Sequence, residues 1–392
     1  MLKIKKRAII NQRYGLEVNG GSEYYTRKLA EHLVDKYDVE VLTTKAVDYV
    51  TWDNFYTHET ETIHGVKVRR FNVDCRRDIT AMKIYGKIRK LIPPLRNWAE
   101  ERWINAQGPQ CTALIDYIEQ NKDQYDIFIF VTYLYYLTAK GVEKVSDKAI
   151  LIPTAHDEPY IYFKYYKKVF ESVAGLIYLT YEEKEFVEKM FPVASKPHKV
   201  CGSGVELPDT VDKSRFKDKY QISERYIVYD GSIDQDKGCP EMFSIFEAFK
   251  EKHPDDQTKL VLMGKEMISV PKREDIVSLG FVSEQDKFDG IKGAAALWLP
   301  SRFESLSIAV LEALSLGVPV IVNGQCSVLK GHCLRSQAGE YYMEPDEALK
   351  KLDMILDSSY GVADKAKQYV KKYYQWENII TEISELMEQI EV

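Results

Sequence analysis

Short apolar runs alternate with longer stretches of helical periodicity along this chain; the alternation stops once, and then it restarts. In the first half, residues 6–11, 39–43, 66–71, 127–131, 149–153 and 176–179 read as strands. Residues 20–37 carry Tyr25, Leu29, Leu33 and Val34 at helical spacing, and 182–191 read as another helix. This rhythm predicts a parallel sheet with helices on both faces. It breaks at Phe191-Pro192, and residues 194–208, with two glycines and two further prolines, read as a linker. Strands at 226–229, 259–263, 276–279, 295–299 and 318–322 then alternate with helices at 240–252 and 307–316, and long helices run from Pro345 onward. Two doubly wound α/β domains in tandem are expected, with ligands at the carboxyl ends of the strands.

Charge divides along the same line. Residues 1–200 hold 31 Lys and Arg against 27 Asp and Glu, and the remainder holds 23 against 33. The total of −6 argues against a general nucleic-acid binder. The excess of the first half concentrates in residues 76–103, which hold eight basic and three acidic residues. Interleaved are Met82, Ile84, Tyr85, Ile88, Leu91, Ile92, Leu95, Trp98 and Trp103. A basic amphipathic segment from Arg76 to Trp103 suits either an anionic membrane surface or a helical hairpin with a solvated face. No apolar stretch approaches the length of a membrane span. After Lys5-Lys6-Arg7 only Ala8-Ile9-Ile10 is apolar, too short for a signal-peptide core. The six cysteines lack C-x-x-C spacing, so a cytoplasmic chain with reduced thiols is expected.

Three loops invite chemistry. Asn19-Gly20-Gly21-Ser22-Glu23 opens the first helix, where glycines let backbone approach an anion, or simply make a tight turn. It is not the G-x-G-x-x-G dinucleotide fingerprint. Residues 230–238 follow the strand that begins the second half, and Lys237 beside glycines suits a phosphate. The Asp234-Gln235-Asp236 triple is a poor metal site because Lys237 would repel a cation. In residues 300–313, Glu304 lies in a loop and Glu312 inside the following helix. Backbone N–H groups at Leu306, Ser307 and Ile308 suit a diphosphate, and a carboxylate one to two turns deeper can accept bonds from ribose hydroxyls.

These pieces together resemble the retaining glycosyltransferases of family 4, which have the GT-B fold. Asn19–Glu23 resembles that family's Gly-Gly loop, and Thr154-Ala155-His156-Asp157 the strand end carrying its active-site histidine. Leu179-Thr180-Tyr181-Glu182 matches the step before the linker and Gly204-Val205-Glu206 the linker. Gly231 to Gly238 matches the phosphate loop, Gly280-Phe281-Val282 the segment beside the base, and Pro300 to Ala313 the E-x7-E motif, followed by Gly317-Val318-Pro319-Val320. Ser232 stands where the family usually has arginine, and no Gly-Gly-x-x-Glu stretch follows the E-x7-E motif.

The resemblance implies two Rossmann-like domains facing across a cleft. Residues 1–200 would form the acceptor side and 201–375 the donor domain, with 376–392 packing back on the first. It implies transfer of a sugar from a nucleotide diphosphate donor to a hydroxyl of a glycan or lipid-linked acceptor, with retention and without a metal or other cofactor. His156 and Glu304 would be catalytic. Gly20, Gly21, Gly231, Ser232, Lys237, Phe281, Val282, Leu306, Ser307, Ile308 and Glu312 would bind the donor. A sugar-nucleotide epimerase, a phosphorylase and a catalytically silent sugar-nucleotide binding protein are the rival expectations.

Overall fold

A computed structural model of the protein describes residues 5–357 and 359–391. The first four residues of the basic N-terminal run and the last residue of the C-terminal segment lie outside that range. Two compact units form, Met1–Gly202 with Glu377–Val392, and Ser203–Trp376.

The first unit runs β1 (Lys6–Ile10), α1 (Gly21–Leu33), β2 (Asp38–Thr44), β3 (Thr60–Ile63), β4 (Val66–Phe71), α2 (Ile79–Leu91), α3 (Arg96–Gln107), α4 (Thr112–Asn121), β5 (Ile127–Val131), α5 (Tyr136–Gly141), β6 (Ala149–Ile152), α6 (Lys164–Ser172), β7 (Gly175–Tyr178), α7 (Tyr181–Met190) and β8 (His198–Val200). Its eight strands lie in the order β3-β4-β2-β1-β5-β6-β7-β8. Every pairing is parallel except β3 with β4. The central strand β5, Ile-Phe-Ile-Phe-Val, is buried along its whole length. A run apolar on both faces belongs in the middle of a sheet covered by helices. Each fully buried Phe or Ile there contributes about 1.5–3 kcal/mol.

The second unit runs α8 (Lys213–Tyr220), β9 (Tyr226–Asp230), α9 (Cys239–Lys252), β10 (Lys259–Met263), β11 (Ile276–Ser278), α10 (Glu284–Gly293), β12 (Ala296–Leu299), α11 (Ile308–Ser315), β13 (Val320–Asn323), α12 (Ser327–Ser336), β14 (Gly339–Tyr342), α13 (Pro345–Leu356) and α14 (Ala363–Tyr373). Its sheet is parallel, in the order β11-β10-β9-β12-β13-β14. The last helix, α15 (Trp376–Glu391), enters the first unit. Lys199 pairs with Glu382 and Glu385 at 2.6 Å each, and Arg7 with Glu391 at 2.5 Å.

The expected double winding is therefore present in both units. Strands β3, β8 and β14 are additions to the sequence reading. They are edge strands of three or four residues, each partly polar, with little apolar pattern to reveal them. The helix expected to begin at Ser307 begins at Ile308 instead. Ser307 has φ 67°, a left-handed conformation that cannot start a right-handed turn. The N–H groups that α11 leaves open therefore belong to Ser307, at its N-cap, and to the three residues after it, while Leu306 precedes the cap.

Candidate functional site

In an open parallel sheet the chain leaves opposite faces where the strand order reverses, and a crevice opens there. In the second unit that point lies between β9 and β12, which are neighbours. Two loops meet at it, residues 231–238 after β9 and 300–307 after β12. Gly238 makes their approach possible: it has φ 77°, and a Cβ there would lie 2.5 Å from the Pro300 carbonyl oxygen. Gly231, with φ 150°, also needs its glycine. The 231–238 loop is braced by Asp234, which accepts bonds from Ser232 Oγ at 2.6 Å and from the Lys237 backbone N–H at 2.8 Å.

Lys237 Nζ donates to Glu304 Oε1 at 2.7 Å and so joins the two loops. Burial works against its charge, but Glu304 and Asp234 outweigh that and hold its pKa above the ordinary lysine value. A half-buried ammonium stands beside a carboxylate at the switch point, next to the open N-terminus of α11, which no side chain caps. An incoming phosphate would compete with Glu304 for this lysine. The Glu304 carboxylate would then be released to other hydroxyl donors.

Glu312 lies one turn inside α11 and is 2% exposed. Lys287 of α10 meets it at 2.5 Å. Burial raises the Glu312 carboxyl above the usual range, with Lys287 opposing and Asp230 adding to the rise. Asp230 ends β9, and its carboxyl is likewise raised by burial against the pull of Lys287. Behind the loops, the buried Glu312 and the partly exposed Asp230 thus share the charge of Lys287, itself partly exposed.

His332 of α12 closes the back of the site. Its Nε2 lies 2.7 Å from the Leu306 carbonyl, and its Nδ1 lies 2.9 Å from the Tyr369 hydroxyl. Burial pushes its pKa down to about 4, so the ring is neutral near pH 7. A carbonyl only accepts, so Nε2 carries the proton and Nδ1 accepts from Tyr369. The ring therefore pins the carbonyl just before α11. Phe281 and Val282 follow the Gly280 turn, whose carbonyl accepts from Gly264 N–H at 2.8 Å, and Phe281 is exposed.

In the first unit, Gly20 has φ 148°, and a Cβ there would meet the Glu23 carboxylate at 2.2 Å. Glu23 is saturated by Arg13, Gln12 and Ser22. Gly20 thus serves the turn itself. Space in front of Gly21 is open, and a Cβ added there would meet nothing within 4 Å. His156 is half-buried, and its Nε2 lies 3.9 Å from Glu158. The neighbouring Ala155 N–H donates to Glu183 Oε1, and Leu179 N–H to Glu183 Oε2, both at 2.6 Å. One carboxyl on α7 thereby ties the ends of β6 and β7 together beside His156.

Burial pushes the Glu183 carboxyl up from 4.5 to about 8. A raised acid binds its proton more tightly in the folded state, so stability falls as pH rises from about 4.5 to about 8. Glu183→Gln should flatten that part of a thermal-unfolding profile of the full chain. It should also lower stability by about 1–3 kcal/mol, because one backbone N–H loses its acceptor. An unchanged pH profile in the variant would contradict this assignment.

Lys287, His332 and Glu183 are not among the residues that the sequence singles out. Lys287 sits four residues past Ser283 in an ordinary polar helix start. His332 gives only an apolar-helix signal, and Glu183 looks like a first-turn acid.

The chain is similar in sequence and in fold to known proteins. Residues 211–376 match the family described as glycosyl transferases group 1. An uncharacterized glycosyltransferase of Methanocaldococcus jannaschii is 27% identical over 178 residues, 41% of this chain and 44% of that protein. The alignment thus spans less than half the length of that curated relative. Sucrose-phosphate synthase from Thermosynechococcus elongatus superposes with a TM-score of 0.72 at 15% identity, covering 98% of this chain and 99% of the other. Anabaena Alr3699/HepE in complex with UDP and glucose gives 0.69 at 14% identity, covering 98% and 100%. The fold is GT-B, with two Rossmann-like units, and residues 211–376, within the second unit, are similar to the group 1 glycosyl transferases.

Proposed function

We propose that this protein is a retaining hexosyltransferase that moves a sugar from a nucleotide diphosphate donor to a hydroxyl of a glycan or glycolipid acceptor in cell-surface polysaccharide or glycoconjugate synthesis. The observation that carries the reading is the Lys237–Glu304 pair spanning the β9–β12 switch point beside the open start of α11. Breaking the sugar–phosphate bond leaves negative charge on the diphosphate. Lys237 and the α11 N–H groups would meet that charge without a metal. Glu312 would hold the ribose and Glu304 the donor-sugar hydroxyls, with His156 as a second catalytic residue. Gly231, Ser232, Phe281 and Val282 would line the donor's nucleotide part, with Gly20 and Gly21 contributing from the first unit. The acceptor oxygen would bond to the face the diphosphate leaves, and its proton would pass to a leaving phosphate oxygen. A cytoplasmic enzyme with a lipid-linked acceptor would work at a membrane face. Among the described residues no helix is long and apolar enough to cross one.

A second reading, a catalytically silent sugar-nucleotide binding protein, is favoured by one observation. Ser232 hydrogen-bonds to Asp234 and supplies no second cation to the phosphate loop. Donor hydrolysis and acceptor-dependent transfer by the wild-type chain separate the two. Tight donor binding without either activity, across acceptor extracts, selects the silent reading.

A further inference from the structure

The segment from Arg76 to Trp103 folds as a helical hairpin, α2 and α3 joined by a short turn at Pro93–Leu95. One side is anchored. Met82 and Tyr85 pack on the core of the first unit. Arg89 pairs with the fully buried Glu100 at 2.9 Å, and Trp103 stacks on Tyr160 at 4.3 Å between ring centres. These residues are therefore unavailable to any partner, although sequence alone counts Trp103 and Arg89 among the candidates.

The other side is unpartnered. Lys83, Lys87 and Lys90 recur at helical spacing along α2, all exposed, with no ion pair to any described residue. Ile84 and Leu91 form an adjacent exposed stripe, and Leu91 is 77% exposed. Ile92, Leu95 and Trp98 continue it around the tip of the hairpin, each more than 40% exposed. Arg102 lies over the Trp98 ring. A solvated helix face has no use for five large apolar side chains beside its lysines.

We propose that this outward face docks on an anionic lipid bilayer. Leu91, Ile92, Leu95 and Trp98 would enter the headgroup–acyl boundary, and Lys83, Lys87 and Lys90 would meet the lipid phosphates. Charge complementarity selects an anionic partner. The apolar tip selects a bilayer over a dissolved polyanion, which would offer nothing to Leu91 or Ile92. The proposal does not depend on the donor site.

The test is co-sedimentation of the full chain with phosphatidylcholine vesicles, with and without about one third phosphatidylglycerol. The wild type should sediment with the anionic vesicles at low salt, be released by high salt, and ignore the neutral ones. Lys83→Glu/Lys87→Glu/Lys90→Glu should weaken partitioning by roughly a hundredfold or more. Leu91→Ser/Ile92→Ser should weaken it roughly tenfold or more. All five positions are exposed, and an unchanged unfolding midpoint shows that each variant is folded. Absence of binding at low ionic strength overturns the proposal, as does a triple variant that binds like wild type. Loss with the lysines but not with Leu91 and Ile92 would indicate a polyanion site instead and would overturn the bilayer assignment.

Discussion

Glu304→Gln should lower sugar transfer by roughly two to three orders of magnitude while leaving nucleotide diphosphate binding intact or tighter. Glu304 and Lys237 neutralise each other at 2.7 Å. Removing the carboxylate charge frees the ammonium for phosphate, so binding gains what transfer loses. Lys237→Ala should do the reverse at the binding step and weaken the diphosphate by roughly tenfold to a hundredfold, the range of one charge-assisted hydrogen bond. Donor titrations paired with steady-state kinetics read both effects. A Glu304→Gln enzyme that transfers at the wild-type rate would remove Glu304 from the chemistry. Equal losses of binding in both variants would mean that the pair merely braces the loops.

Glu312→Ala is expected to cost about 1–3 kcal/mol of stability, because it takes the principal partner from the partly buried Lys287. It should also abolish the stabilisation by nucleotide diphosphates that binding to the folded state produces. These consequences separate in a double variant. Glu312→Ala/Lys287→Met removes the stranded charge and should recover most of the stability, but it cannot restore contacts to ribose. Thermal unfolding with and without nucleotide measures both. Recovery of the nucleotide shift in the double variant would show that Glu312 acts only by pairing with Lys287.

The parts of this molecule legible in its sequence are those with a strong local signature. The run 127–131 is apolar throughout and forms the fully buried β5. The restart after residue 208 marks a second sheet, and the glycines at 231 and 238 mark a turn that only glycine makes. The parts that are not legible depend on distant partners. Nothing near Lys287 in sequence shows that α10 will set it against Glu312, twenty-five positions later. His332 acquires its part only because α12 and α14 bring the Leu306 carbonyl and the Tyr369 hydroxyl to its two nitrogens. Apolar periodicity starts α11 one residue early, since nothing in the sequence announces a left-handed serine. In the basic hairpin the composition is visible from sequence. Which residues face outward is not, because Trp103 and Arg89 are drawn inward by Tyr160 and Glu100.

The central claim is that the crevice between β9 and β12 receives a nucleotide diphosphate sugar. Calorimetric titration of the full chain with UDP-, GDP-, ADP- and dTDP-sugars, repeated on Lys237→Ala, tests it most directly. Saturable binding of one or two donors, weakened at least tenfold in the variant, is the predicted result. Binding of none of them, or equal affinity in both proteins, would contradict it.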